Sequence, residues 1–311
     1  MRTAATLFIA ACLLIGGSGA APPTVIGVFE ETAVVNQPHA GDIRIGFVRT
    51  PSGWVSANCG EQYVGAPALR ITCPNLPAPP IAWTIYDAGK IVGDAATDGW
   101  LDTMSYAHAG ALRIVGGRLP EAGERSVRYG GWTGAEVRKP LVASSVRVPP
   151  FADRWSQDDA HWNLLDAAWP LFRAAVPRVD FCTSGPDGDP VYHSRPVQRG
   201  DLVAKRGWQS SGGEMLVRVA LDQEIGKDCE MQDAHEMWLF RGVDGVLRPL
   251  PGQIWEGLIN FSAALSPVAF GDFNGDGGEE AMFQFAAYNR DGYILYYDHF
   301  RRFARIEWHY H

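Results

Sequence analysis

Val268-Ala269-Phe270-Gly271-Asp272-Phe273-Asn274-Gly275-Asp276-Gly277-Gly278-Glu279-Glu280-Ala281-Met282-Phe283-Gln284-Phe285 sets an acidic, glycine-rich loop between two short apolar runs. Apolar runs of this length bounded by turn residues read as strands. Inside the loop, Asp272, Asn274 and Asp276 carry side-chain oxygens at alternate positions, and Glu280 stands ninth counting from Asp272. Gly277, at the sixth position, permits a sharp turn, and the carbonyl of Gly278 is available at the seventh. The donors are hard oxygens throughout. Calcium accepts six to eight such oxygens in flexible geometry, whereas magnesium demands stricter geometry and keeps its water, so the spacing predicts calcium.

Residues 267–285 resemble the calcium loop of FG-GAP/VCBS-type repeats, the D-x-N-G-D-G-x-x-D/E segment of integrin-like propeller blades. Phe270 before the loop and Ala281-Met282-Phe283-Gln284-Phe285 after it match the strand–loop–strand frame of that family. The resemblance implies that Asp272, Asn274, Asp276, Gly278 and Glu280 ligate one structural calcium ion. It covers about 20 residues in a single copy, and propellers take at least four blades, so it implies the loop and not the propeller. The loop also departs from an EF-hand: strands flank it, and Phe283 at the twelfth position has no ligand atom. Three carboxylates held together repel one another without a cation, so an ion is expected to order the loop and the strands it joins.

Working outward, the chain from Val268 reads as a four-strand meander: Val268–Phe270, Ala281–Tyr288, Tyr293–Tyr297 and Ala304–Tyr310. Asn289-Arg290-Asp291-Gly292 is its expected middle turn. Upstream, Val179–Cys182, Met215–Ala220 and Met237–Phe240 read as strands, the last followed by the hairpin signal Val243-Asp244-Gly245-Val246. Before these the period changes. Leu164, Leu165, Ala168, Leu171, Phe172, Ala175 and Val176 define one helical face. Ser156-Gln157-Asp158-Asp159 offers a cap and acids for the first turn. Pro170 kinks or divides this helix, and Pro177 ends it.

Residues 24 to about 148 read as short strands and turns. Thr24–Phe29 and Asp42–Val48 show the two-residue period of half-buried strands, and Ile81–Tyr86 turns through Asp87-Ala88-Gly89 into Lys90–Val92. Leu112–Val115 and Ser126–Tyr129 continue the series, while Pro74–Pro80 is an extended loop. The expected architecture is mainly β (α+β). A β-rich domain at 21–150 precedes an α+β domain at 151–311, which holds the kinked helix and the antiparallel meander; the boundary falls near Val148-Pro149-Pro150.

The first 20 residues have the three parts of a secretory leader: Arg2, the apolar run Ala4–Ile15 and a small-residue tail ending at Ala20. Cleavage is expected after Ala20 or Ala21. The run is too short to span a bilayer, which takes about 20 apolar residues. Ile9-Ala10-Ala11-Cys12 also resembles a lipobox, but apolar residues continue behind Cys12, and a cysteine inside the leader is the plainer account. The chain has a formal charge of −8 and no basic cluster, a poor match to nucleic acid or anionic lipid. No other stretch of the mature chain is long enough to cross a membrane. A periplasmic or extracellular protein with an unidentified protein or glycan partner is expected. Cys59, Cys73, Cys182 and Cys229 survive cleavage and read as two disulfides, with three connectivities open. The shortest loops give Cys59–Cys73 and Cys182–Cys229.

Catalytic signatures are absent: the chain has no G-x-S-x-G, H-E-x-x-H, Walker or dinucleotide fingerprint. Asp233-Ala234-His235-Glu236 offers an acid beside a histidine, for which an ordinary polar loop is the simpler reading. His309 and His311 share a strand face and could bind a transition metal adventitiously, but edge-strand polarity is the simpler account of them. Asn260-Phe261-Ser262 matches a glycosylation sequon. Eleven tryptophans run through both halves; they either stack on sugar rings or fill the core. The sequence therefore predicts an exported calcium-binding protein, most simply a non-catalytic binding or envelope-associated module. The alternative is a secreted hydrolase, acting on carbohydrate with an acidic pair in a Trp-lined groove and calcium as a structural ion.

Overall fold

Runs of β-branched and aromatic residues pair in antiparallel register to form the first sheet. β1 (Val25–Glu31), β2 (Gly41–Thr50), β3 (Gly53–Ser56), β4 (Ile81–Asp87), β5 (Lys90–Trp100) and β6 (Ala111–Gly116) belong to it. Beyond a small separate pair, β7 (Arg125–Ser126) with β8 (Val137–Arg138), β9 (Leu141–Ser144) completes the set. The order is β1-β9-β4-β5-β6-β2-β3, and β1 also pairs with β2, so six strands close into a barrel with β3 appended to β2. Val25, Ile43, Ile45, Trp83, Ile85 and Leu112 fill it. The expected β4–β5 hairpin is present: Ala88 and Gly89 both take positive φ, 45° and 76°, as a two-residue hairpin turn requires. This computed structural model describes residues 23–31, 41–57, 80–100, 111–120, 125–126, 137–151, 154–158, 164–222, 235–253, 264–287 and 290–309.

The second half supplies three further units. α1 (Leu165–Ala175) leads into a ribbon of β11 (Arg178–Ser184) and β12 (Pro190–Pro196). A five-stranded sheet runs β10 (Trp155–Asp158), β13 (Leu202–Ser210), β14 (Met215–Leu221), β15 (Glu236–Arg241), β16 (Leu247–Pro249). β17 (Ala264–Gly271), β18 (Glu280–Ala287), β19 (Arg290–Tyr297) and β20 (Arg302–His309) form the expected meander.

Strand alternation stacks these units as layers. Met215, Val217, Val219, Met237 and Leu239 pack under Leu165, Ala168 and Phe172 of the helix. Their alternates Leu216, Trp238 and Phe240 face Phe283, Phe285, Ile294 and Tyr296 of the meander. The opposite meander face, with Met282, Tyr293, Leu295 and Trp308, packs on Ile26, Val28, Phe47 and Val142 of the barrel wall. The meander is thus buried on both sides, and the barrel and the C-terminal strands share one core across the expected boundary at residue 150.

Several expectations are corrected or narrowed. Ser156 does not cap a helix: Trp155–Asp158 pairs with Gly207–Ser210 as an edge strand. Trp155 anchors it, stacked on Phe270 with ring centroids 5.1 Å apart, and this aromatic burial outweighs the local capping signal. The helix starts at Leu165 and runs through Pro170 as a single element; Pro170 lacks the N–H that would bond the carbonyl of Asp166. β1 and β2 are not half-buried: Val25 to Val28 are all buried, as are Asp42 to Val48, because these strands have the barrel interior on one side and the meander on the other. Finally, Arg290-Asp291-Gly292 belongs to β19 rather than to a turn, since Asp291 pairs with Ala286 and Trp308.

Candidate metal centre

Gly271 and Glu280 face each other as the last pair of the β17–β18 ladder, so the loop between them leaves and returns at one point. Gly275 and Gly277 take φ of 76° and 84°, a region open to glycine without strain. The backbone coils so that its amides turn inward onto the loop's own oxygens. Asp272 Oδ1 accepts from the Gly275 and Asp276 amides at 2.7 and 3.2 Å, and Oδ2 from the Gly277 amide at 2.9 Å. Asn274 Oδ1 accepts from the Asp276 amide at 2.8 Å, and Asp276 Oδ1 from the Gly278 amide at 2.8 Å.

The barrel grips the loop from the other side. Phe273 is buried in the barrel–meander core, and its carbonyl accepts the Ser144 hydroxyl at 2.9 Å. Glu280, only 3 % exposed, takes the Trp54 indole N–H at 3.1 Å and the Asn274 amide at 3.1 Å on Oε1; Oε2 takes the Phe273 N–H at 3.0 Å. Arg49 Nη2 reaches Asp276 Oδ2 at 3.1 Å, and the Asn274 amide donates to the same oxygen at 3.0 Å. Burial pushes the Glu280 carboxyl up to about 8, the negative charges of Asp276 and Asp272 push the same way, and the Phe273 and Trp54 donors pull it down.

No protein-family model, curated protein or solved structure matches the chain. Of the five residues expected to ligate, Asp276 and Glu280 are brought to a common point, since one Asn274 amide nitrogen serves both. Asp272 is turned to the loop amides, and Gly278 engages through its N–H. Among the described residues no three His, Cys, Asp or Glu side chains converge on one ion position. The donor set is still that of a hard cation: oxygen only, three carboxylates and an amide. Its outer turn, Gly275–Gly278, is exposed, which leaves an entry path.

The remaining candidates fare unevenly. Cys182 is buried on β11; Cys59, Cys73 and Cys229 lie outside the described residues, as do Asp233, His311, the sequon and the leader. Glu236 opens β15 and binds Arg218 and the Leu265 amide, tying the five-stranded sheet to the meander; its carboxyl is raised by burial against the pull of Arg218. His299 is exposed on the β19–β20 turn, with Nδ1 3.3 Å from Glu214 Oε1. Trp54, Trp83, Trp155, Trp238 and Trp308 are buried, and Trp169 and Trp208 partly so. Among the described residues, no helix is long and apolar enough to cross a membrane. Sequence reading missed Trp54, Arg49 and Ser144, which lie 226, 227 and 129 positions from the loop residues they bind. No local spacing announces such partners.

Proposed function

We propose that the chain is an exported calcium-binding protein in which loop 272–280 holds one structural ion, and that it serves as a non-catalytic binding or envelope-associated module. Glu280 carries the ion reading. It is a buried carboxylate whose three donors among the described residues, the Phe273 amide, the Trp54 indole and the Asn274 amide, are all neutral. A carboxylate taken out of water needs a cation or a proton, and two neighbouring carboxylates increase that need. Asp272, Asn274, Asp276, Gly278 and Glu280 would hold the ion, with Asp276 at the open side and Glu280 at the closed one. A bound calcium supplies two positive charges where the barrel meets the meander.

Export rests on the leader-like first 20 residues, and the non-catalytic assignment on the missing signatures. The hydrolase alternative draws no support from the described tryptophans, which pack inward. Calcium titration of the purified mature chain by calorimetry, with melting in calcium and in chelator, tests the reading. Saturable binding of one ion with a higher melting temperature is the expected result. No heat and unchanged melting at millimolar calcium would leave an acidic turn and no ion site.

A further inference from the structure

The ion reading just proposed has a consequence at Arg49. This residue belongs to β2, in the barrel, yet its Nη2 lies 3.1 Å from Asp276 Oδ2 across the junction. That oxygen also takes the Asn274 amide, whose nitrogen at the same time serves Glu280 Oε1. Oδ2 is therefore the Asp276 oxygen turned towards the second acid. A guanidinium is a permanent cation with donors only, so beside a divalent ion on one oxygen it is repelled. The pair is also easily opened: the Arg49 and Asp276 side chains are 37 % and 42 % exposed, and water can take over the guanidinium at small cost.

We infer that Arg49 is a tethered counter-charge that competes with the ion for Asp276, so that it sets the loop's calcium affinity and holds the loop to the barrel when calcium is low. The loop then has two states. In one, Arg49 of the barrel and the Asn274 amide serve Asp276; in the other the ion takes that role and the Arg49 tether is released. The Trp54 indole stays with the barrel side in both, as the neutral donor to Glu280.

The test uses the full mature chain and its Arg49→Met and Arg49→Lys variants, with calcium itself as the probe. Calorimetry should show Arg49→Met binding calcium about two- to five-fold tighter than wild type, with the gap narrowing at high salt and Arg49→Lys close to wild type. Melting should show Arg49→Met below wild type in chelator and equal to it in saturating calcium. A structural pair with no part in ion binding would lower melting equally in both conditions and leave the affinity unchanged, and that result overturns the competition. If calcium binds neither wild type nor Arg49→Met, the ion reading itself fails and the inference with it. Binding with identical affinities sinks the inference alone.

Discussion

Glu30 and Glu280 both enter the junction between barrel and meander, one from β1 and the other from β18, and their surroundings differ in one respect. Glu30 meets Arg44 in a two-point contact, Nε to Oε1 at 3.1 Å and Nη2 to Oε2 at 2.8 Å, and the Tyr293 hydroxyl donates to Oε1 at 2.6 Å. Arg44 itself is 2 % exposed, and its guanidinium lies 3.9 Å from the centre of the Trp308 ring. Among the described residues Glu280 meets neutral donors only, and the Arg49 guanidinium binds its neighbour Asp276 at the surface. Among the described residues the fold brings a buried cation to the first acid and none to the second. A charge balanced from within needs nothing from solution, whereas one left to neutral donors makes the same junction dependent on an ion or a proton.

The largest expected effect is at the balanced acid. Arg44→Met removes the cation and leaves Glu30 at the junction; breaking such a pair costs about 3–5 kcal/mol. Denaturant unfolding should show that loss equally in calcium and in chelator, and a loss below about 1 kcal/mol would erase the distinction between the two acids. At the other acid the effect should depend on conditions. Calcium at a hundred times its dissociation constant adds about 2.7 kcal/mol to the native state, and Asp272→Ala or Asp276→Ala should abolish that increment. A full calcium increment in both variants would place the ion elsewhere.

Proton linkage sharpens the contrast next. The Glu280 carboxyl, at about 8 in the metal-free fold, stands above its ordinary 4.5. Its proton therefore favours the folded state: the contribution is full below about pH 4.5 and is lost as pH rises through 8. In chelator, stability should fall on the order of 3 kcal/mol between pH 5 and 8, and Glu280→Gln should flatten that slope. Calcium selects the charged carboxylate, so its own stabilising increment should grow over the same range. A chelator slope unchanged by Glu280→Gln would assign the titration to another group.

What the sequence made legible were features with a local cause. The β4–β5 turn, the strand–loop–strand frame around Asp272 and the mainly β composition all follow from residues adjacent in the chain. What escaped were features set by distant partners. Ser156 carries a helix-cap signal that Trp155 overrides by reaching Phe270, more than a hundred positions away. Val25 to Val28 look like a strand with one wet face until the meander covers it. Likewise the loop's oxygens could be named from spacing, but not the fact that two of their donors, Arg49 and Trp54, come from β2 and β3 of the barrel. The candidate site was readable as a list of ligands and unreadable as a junction.

The smallest expected effect tests that junction directly. Trp54→Phe keeps a buried aromatic ring in the barrel–meander core but removes the indole N–H that Glu280 Oε1 accepts at 3.1 Å. A lost hydrogen bond to a buried acid costs about 1–2 kcal/mol, and the cost should depend on how Glu280 is otherwise served. In chelator well above pH 8 the charged carboxylate keeps, among the described residues, the Phe273 and Asn274 donors, and the penalty should be full. With calcium bound the ion supplies the missing positive potential, and at pH 5 the proton does, so in both the penalty should shrink. Unfolding of Trp54→Phe under these three conditions therefore reports on Glu280 rather than on packing. A uniform penalty would mean that only ring contacts changed, and Trp54 would then join the tryptophans that simply fill the core.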